Sequence, residues 1–576
     1  MTDLTNGGVW YELARRRRLS RRGVLGWSAA GATALAATSC SSGNKSSAGS
    51  GAPKAQSTAA SAGATPAGQP RQGGSVSYTQ TANPPNFSVF TASNDSARTG
   101  NPIYSKLIRF KTGAGIAPDQ LVLEPDLATS LPEQPDNLSY VFKLRPNVKF
   151  QNVDPVNGRA LMADDVKQAI NAYLTNPKSA FKDDLKTVDH VETPDQSTVK
   201  LVMKQPWAPL LSTAAGQYGL RIFPPELLQG NLIESKPIGS GPWILKEYTP
   251  GSKIVYGRNP DYYLPGIPHL DSQTIYIIPT EAGITAALES GTLDIASGTS
   301  SLSCINAPTA LAKIANAQHV DVPGVGLYLA LDTSKPPFND ARVRQAVALS
   351  IDRQTMQASL YCGKGELDQL VPVSFDHRVL KVDQLGAAAQ YWKHDLKTAK
   401  QLLGAAGFAN GFAVDLHFTP AYATTNRYAD ALQLVVANLK DAGITATAVS
   451  HEYSQWISSF YRPPFNWTGM LMGPSRYYPD PDNYVRYWLS PQGITNQSRI
   501  NDPAITDLLA KEEMTFDEAQ RWSAMGDLEK RVADQQYYVT LTTGISTVAW
   551  PSWLQNYSVY SGYDQPQFDT AWSSKA

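Results

Sequence analysis

Cysteine is scarce in this chain. Only Cys40, Cys304 and Cys362 occur in 576 residues, which leaves room for one disulfide at most once Cys40 is set aside. The seven histidines (His190, His269, His319, His377, His394, His417 and His451) are scattered without metal-ligand spacing, so the sequence offers no metal site. There is no excess of charge, with 50 basic and 50 acidic residues. Six of the arginines (Arg15 to Arg18, Arg21 and Arg22) fall within the first 39 residues, and the remainder carries a net charge of about −4. A mildly acidic body argues against nucleic-acid binding. Catalytic motifs are missing too. No Gly-x-Ser-x-Gly elbow, Walker loop, His-Glu-x-x-His or strand-borne Gly-x-Gly-x-x-Gly occurs in usable context, and Cys362-Gly363-Lys364-Gly365 lacks the upstream glycine of a phosphate loop. The paired acids Asp164-Asp165 and Asp183-Asp184 read as solvated helix starts. A secreted hydrolase is the competing class, and turnover discriminates it.

What the chain does have is length, rings and an address. At 576 residues it exceeds one core and reads as two or three domains. It carries 27 Tyr, 16 Phe and 12 Trp, enough for a large core or a ring-lined cleft. The basic run Arg15 to Arg22 precedes the apolar stretch Gly23 to Ala37, which is shorter than the ~20 residues a bilayer span needs. That order reads as an export signal. Ser20-Arg21-Arg22-Gly23-Val24-Leu25 looks like a twin-arginine motif, with Sec export as the alternative. Ala36-Ala37-Thr38-Ser39-Cys40 resembles a lipoprotein processing site, with Ala37 in place of the usual leucine. Ser41 to Gly74 contains no Val, Ile, Leu, Met or aromatic residue, so it cannot bury enough surface to fold. As a tether it would reach about 30 Å.

The most informative stretch is Lys335-Pro336-Pro337-Phe338-Asn339-Asp340-Ala341-Arg342-Val343-Arg344-Gln345-Ala346, continuing to Ser350-Ile351-Asp352-Arg353. Asn339 or Asp340 can cap a helix. Val343, Val347 and Ile351 form its buried stripe, and Arg342, Arg344 and Arg353 lie off it. Elsewhere Ser75 to Tyr78 alternates like a strand, as does Tyr140 to Leu144 before Pro146. Ala399 to Phe408 reads as a helix ending at Gly407. The proline-rich run resembles the signature of the family 5 extracellular solute-binding proteins, the oligopeptide, dipeptide and nickel receptors of ABC importers. Ile238-Gly239-Ser240-Gly241-Pro242-Trp243, Arg258-Asn259-Pro260-Asp261-Tyr262-Tyr263 and Ala287-Leu288-Glu289-Ser290-Gly291 follow in the family's order, so the likeness extends over roughly Gly73 to Ala576.

The resemblance implies an α/β chain of the type II periplasmic-binding-protein fold, two hinged lobes plus an extra domain. Its layout here would be 1–39 signal peptide, 40–72 lipid anchor and linker, 73–98 lobe I, 99–235 domain II, 236–325 lobe I continued, 326–530 lobe III and 531–576 a return to lobe I. It implies a non-enzymatic monomer without cofactor, lipid-anchored through Cys40 outside the cytoplasmic membrane. Such a receptor closes on a peptide or similar solute and delivers it to an ABC permease, with no nucleic acid involved. Cys304 and Cys362 would be a disulfide or two buried thiols. The loop Gly473-Pro474-Ser475-Arg476-Tyr477-Tyr478-Pro479-Asp480-Pro481-Asp482 resembles the family's solute loop, which nominates Gly473, Ser475, Arg476 and Tyr477. In peptide-binding members an aspartate stands where this chain has Tyr477, and it grips the peptide's ammonium. A buried ammonium needs a carboxylate, so Tyr477 opens the site to an oligosaccharide, a blocked peptide or an anionic solute. The alternative is that Glu452 or Asp480 takes the role. Trp456 matches a tryptophan near the ligand, with a core position as the other reading. Asn94 is a further contact candidate, followed by Tyr218 and Trp243.

Overall fold

The computed structural model describes residues 68–575 except 92, 117–120, 297–300, 315, 324–325, 373–378, 421–426, 476–477, 479 and 560–566. All of these belong to one unit, Ala59–Ala576. The address region and Cys40 lie outside the described residues.

Strand Ser75–Gln80 pairs in parallel with Ser272–Ile277, and Lys253–Arg258 and Trp243–Thr249 extend the sheet antiparallel. The first strand thus finds its partner some 197 positions along, for example Ser75 opposite Ser272. Between them the chain builds a separate antiparallel sheet, in the order Glu133–Asp136, Ser139–Lys143, Thr198–Met203, Val188–Asp195. Helix Ala163–Thr175 packs on it through Val166, Ala169, Ile170 and Tyr173.

The second half forms a mixed five-stranded sheet, ordered Ile444–Ser450, Phe412–Phe418, Met470–Pro474, Leu327–Leu331, Tyr538–Thr540. Leu327–Leu331 is buried along its whole length because both faces are covered. Leu327, Leu329 and Leu331 point into an aliphatic core with Val343, Val347, Leu403 and Val435. The alternate residues Tyr328 and Ala330 point into an aromatic core with Trp456, Trp488 and Tyr538, as a period of two requires.

The signature run folds as two helices rather than one. Asp340 caps Ala341–Ser350, its Oδ1 accepting from Arg342 N at 2.9 Å. Ile351 is the extended residue after that helix, and Asp352 caps Arg353–Leu360. The arginines off the stripe are tie-points. Arg344 donates to the carbonyls of Gln535 and Phe338, and Arg353 to those of Thr540 and Ala348. Burial pushes the Arg353 guanidinium down to about 9. Both anchor the helices to the segment that returns into the sheet at Tyr538–Thr540.

Asp164 and Asp165 do open helix Ala163–Thr175, with Asp164 exposed, but one acid of each pair is not solvated. Asp165 is bound by Arg159 at 2.7 Å and Asp184 by Arg486 at 2.7 Å. Both are buried, Asp165 against an arginine six residues before it and Asp184 against one 302 positions away. Glu529 is a buried acid in the aromatic core, with Oε2 accepting from Leu380 N at 3.1 Å. Burial raises it from 4.5 to about 8. The folded protein therefore holds that proton more tightly than the unfolded chain. Its stabilising contribution is complete below the ordinary glutamate range and is lost as pH rises to about 8. Glu529→Gln should raise the thermal midpoint by a few degrees at pH 8.5 and leave it unchanged at pH 4, as read by calorimetry at both pH values.

Candidate functional site

Two crossings join the five-stranded sheet to the rest of the molecule. Strand Gln318–Pro323 pairs with Ile545–Trp550, and the next strand along the first segment, Leu327–Leu331, pairs with Tyr538–Thr540. The chain therefore passes from one sheet to the other between 323 and 327 and back between 540 and 545. Each sheet has its own core. This is the geometry of a two-strand hinge.

The return crossing is tightly packed. Glu366 N donates to Thr543 O at 3.0 Å, and Thr543 N to Glu366 O at 3.1 Å. A Cβ on Gly544 would stand 2.2 Å from the Tyr361 ring, and one on Gly365, at φ +141°, 2.5 Å from Thr543 O. Only glycine allows this approach. Cys304 and Cys362 are joined as a disulfide. Cys304 follows strand Leu302–Ser303, which pairs with Ser546 and Thr547, whereas Cys362 follows helix Arg353–Leu360 of the other sheet's core. Lys364 and Asp321 pair beside it at 3.1 Å.

At this junction Gly473 and Ser475 emerge from the sheet. Gly473 lies opposite Tyr328, whose hydroxyl would be 2.8 Å from an added Cβ. Ser475 N donates to Gly326 O at 2.7 Å. Around Gly326 stand three buried oxygens, with its Cβ position 3.1 Å from Asp368 Oδ2, 3.1 Å from Thr543 Oγ1 and 3.4 Å from Ser475 Oγ. The hydroxyls of Ser475 and Thr543 have no hydrogen-bond partner among the described residues. Asp368 and Thr543 were not singled out by their sequence. Nothing local marks them, since the sheet brings them together from 175 positions apart.

Arg476 and Tyr477 lie outside the described residues. Asp480, which follows them in the loop, has several partners. Asp480 caps helix Pro481–Leu489, its Oδ1 accepting from Asp482 N at 2.9 Å. It also pairs with Arg521 at 2.5 Å and accepts from Ser212 Oγ at 2.5 Å. These partners engage both Asp480 carboxylate oxygens within the fold. Glu452 Oε2 accepts from Gln455 N at 3.1 Å, and the residue is exposed. Trp456 sits wholly inside the aromatic core, its ring 6.1 Å from His451 and 6.4 Å from Phe460. Asn94 opens helix Asn94–Gly100, which Ser93 caps through Ser96 N. Trp243 is buried at the start of its strand, and Tyr218 is buried near Phe181.

A charged seam links the solute loop to the 99–235 segment. Arg486 binds Asp184 at 2.7 Å and Asp482 at 2.8 Å, and Arg521 binds Asp480 and Glu512, each at 2.5 Å. Burial raises the Asp184 carboxyl above its ordinary value, raises Glu512 well above its own, and pushes Glu513 up to about 7. Acids outnumber arginines there, and low dielectric favours the protonated form of an unpaired carboxyl. Elsewhere His417 Nδ1 and His451 Nε2 meet at 2.9 Å, yet no group of three or more potential metal ligands occurs among the described residues. No described helix is long and apolar enough to cross a membrane.

Comparison with known proteins places this geometry. Residues 122–496 match the family described as Bacterial extracellular solute-binding proteins, family 5 Middle. Heme-binding protein A of Haemophilus influenzae is 27% identical over 441 residues, covering 71% of this chain and 75% of that protein. The DppA periplasmic binding protein of Helicobacter pylori, solved with the peptide STSA, superposes with a TM-score of 0.74 at 23% identity, over 87% of this chain and 98% of that one. AgaA from A.tumefacien R10, solved with agropinic acid, gives 0.73 at 22% identity over 87% and 99%. The α/β architecture is therefore that of the periplasmic binding proteins.

Proposed function

This chain belongs to the bacterial extracellular solute-binding proteins of family 5, and from that premise we propose that it captures a peptide or similar small solute between two hinged lobes for delivery to an ABC permease. Members of the family are extracytoplasmic binding proteins, not enzymes. The observation that carries the reading is the pair of crossings at 323–327 and 540–545, with Ser475 at the start of the solute loop packed against the first of them. Such a junction converts solute contacts into lobe closure, because a ligand favours the closed state only through contacts it lacks in the open one. The lobes would be 73–98 with 236–325 on one side and 326–530 on the other, with 99–235 as the extra domain. The 1–39 segment would be the export signal, Cys40 the lipid anchor and 531–576 the return. Intact mass of the exported protein checks the anchor: a chain retaining residues before Cys40 refutes it.

A non-peptide or N-blocked solute is the second reading, favoured by one observation. By the motif resemblance Tyr477 would stand at the ammonium-binding position, and Asp480 is paired with Arg521 and Ser212. A thermal-shift screen separates the two readings. Its probes are the tetrapeptide STSA, its N-acetylated form, agropinic acid, haem and short oligosaccharides. A probe at 100 times its Kd should stabilise the protein by about 2.7 kcal/mol and be recovered unaltered. If none shifts the midpoint, or one is chemically changed, the proposal fails.

A further inference from the structure

The two sides of the crossings meet a second time, at the charged seam. Leu185, Val188, Trp207 and Leu210 belong to the core that also holds Val76, Ile275 and Val548. Tyr484, Val485, Tyr487 and Leu509 belong to the aromatic core beyond the crossings. Contacts between 183–212 and 480–521 therefore run from one core to the other. Asp184 accepts from Arg486 at 2.7 Å and from the Tyr487 hydroxyl. Ser212 Oγ donates to Asp480 at 2.5 Å, and Ala208 N to Glu513 O at 2.8 Å. The Arg486 guanidinium lies 5.4 Å from the Trp207 ring. A rotation about the crossings at 323–327 and 540–545 parts these contacts and leaves each core intact.

The seam is unbalanced in charge. Asp184 and Lys186 face it from the 99–235 side, and Asp480, Asp482, Arg486, Glu512, Glu513 and Arg521 from the other. Tyr487 and, behind it, Tyr478 are the further titratable groups beside Asp184. Five carboxyls thus share two guanidiniums and one ammonium. Arg521 is taken by Asp480 and Glu512, and Arg486 by Asp184 and Asp482. Glu513 stands 3.6 Å from Arg486, the longest of the arginine–carboxyl pairs in the seam. Asp184 and Glu513 are the two acids placed where the sides touch. Burial holds both above their ordinary values, Glu513 at about 7. Parting the seam returns them to water and removes that cause.

We propose that the seam is a pH-sensitive latch between the lobes: closing takes up protons at Asp184 and Glu513, so acid favours the closed, solute-holding form and alkali loosens it. The latch rests on the solute-binding reading and adds to it a control on closure that no solute contact supplies. Because Asp184, Ala208 and Ser212 all come from 99–235, the extra domain supplies one jaw of the latch.

The test reads lobe spacing in the solute-free, full-length protein by energy transfer. Azide-bearing side chains at Thr249 and Thr447, exposed strand residues on opposite sides of the crossings, carry pH-insensitive dyes. The closed-to-open ratio should rise about tenfold or more from pH 8 to pH 5.5, as a carboxyl near 4.5 in one form and about 7 in the other requires. Glu513→Gln should hold the ratio at pH 8 near its acid value, and Asp184→Asn with Glu513→Gln should abolish the dependence. Glu529→Gln, a change inside one core, should leave the profile as it is. Spacing that ignores pH, a ratio that rises with pH, or a dependence that the double variant keeps overturns the latch. If a probe from the thermal-shift screen closes the lobes and pH does not, the latch alone fails. If neither does, the closure reading fails with it.

Discussion

Replacing Arg486 with methionine should lower the unfolding free energy by about 3–5 kcal/mol at pH 8, the loss expected when a buried ion pair keeps only one sign of charge. Arg486 has a side-chain exposure of 5% and lies between Asp184 at 2.7 Å and Asp482 at 2.8 Å, with Glu513 at 3.6 Å. Without the guanidinium, three carboxyls share a desolvated seam. They can escape only by protonating, and Glu513, already pushed up to about 7, shows the direction. Raised carboxyl pKa values mean that the folded state is favoured at low pH and penalised as pH rises through them. The deficit should therefore be small at pH 5 and full at pH 8. Urea unfolding at the two pH values measures it. The double variant Asp184→Asn, Arg486→Met should lose less than the sum of the single changes, because the partners couple directly. An equal deficit at both pH values would mean that packing against Trp207, 5.4 Å from the guanidinium, and not charge, sets the cost.

The disulfide carries the other large effect. Cys304 and Cys362 close a loop with a sequence separation of 58, and the chain-entropy account gives about 4 kcal/mol for a loop of that length. Cys304→Ser, Cys362→Ser should shift the urea midpoint accordingly, with the m-value rising as the unfolded state expands. The bond also ties the two sheets beside their crossings, together with Lys364 and Asp321. Its removal should broaden the spread of lobe distances in the solute-free protein. Paired spin labels, one on each sheet, read that spread. A loss below about 1 kcal/mol would show that the reduced chain stays as constrained as the oxidised one.

Much of the architecture was legible because it is written locally. The strand at Ser75, the cap at Asp340 and the glycine at 407 are short-range features, and each occupies its expected role. What the sequence could not show depends on distance. Asp184 meets Arg486 across 302 positions, so its neighbour Asp183 made the pair look like a solvated helix start. His417 and His451 come together only because their strands are parallel neighbours. Arg344 and Arg353 follow no charge pattern, since their partners are backbone carbonyls that any residue supplies. The loop from Gly473 to Asp482 was recognisable as a family motif. The oxygens of Asp368, Ser475 and Thr543 around Gly326 become neighbours only once both crossings are formed.

Small-angle scattering of the protein with and without the probe that gives the largest thermal shift tests the central claim most directly. Closure predicts a smaller radius of gyration in the bound state, and the probe recovered chemically intact by mass spectrometry. A bound protein with the same scattering profile as the free one, or a probe returned as a product, would contradict it.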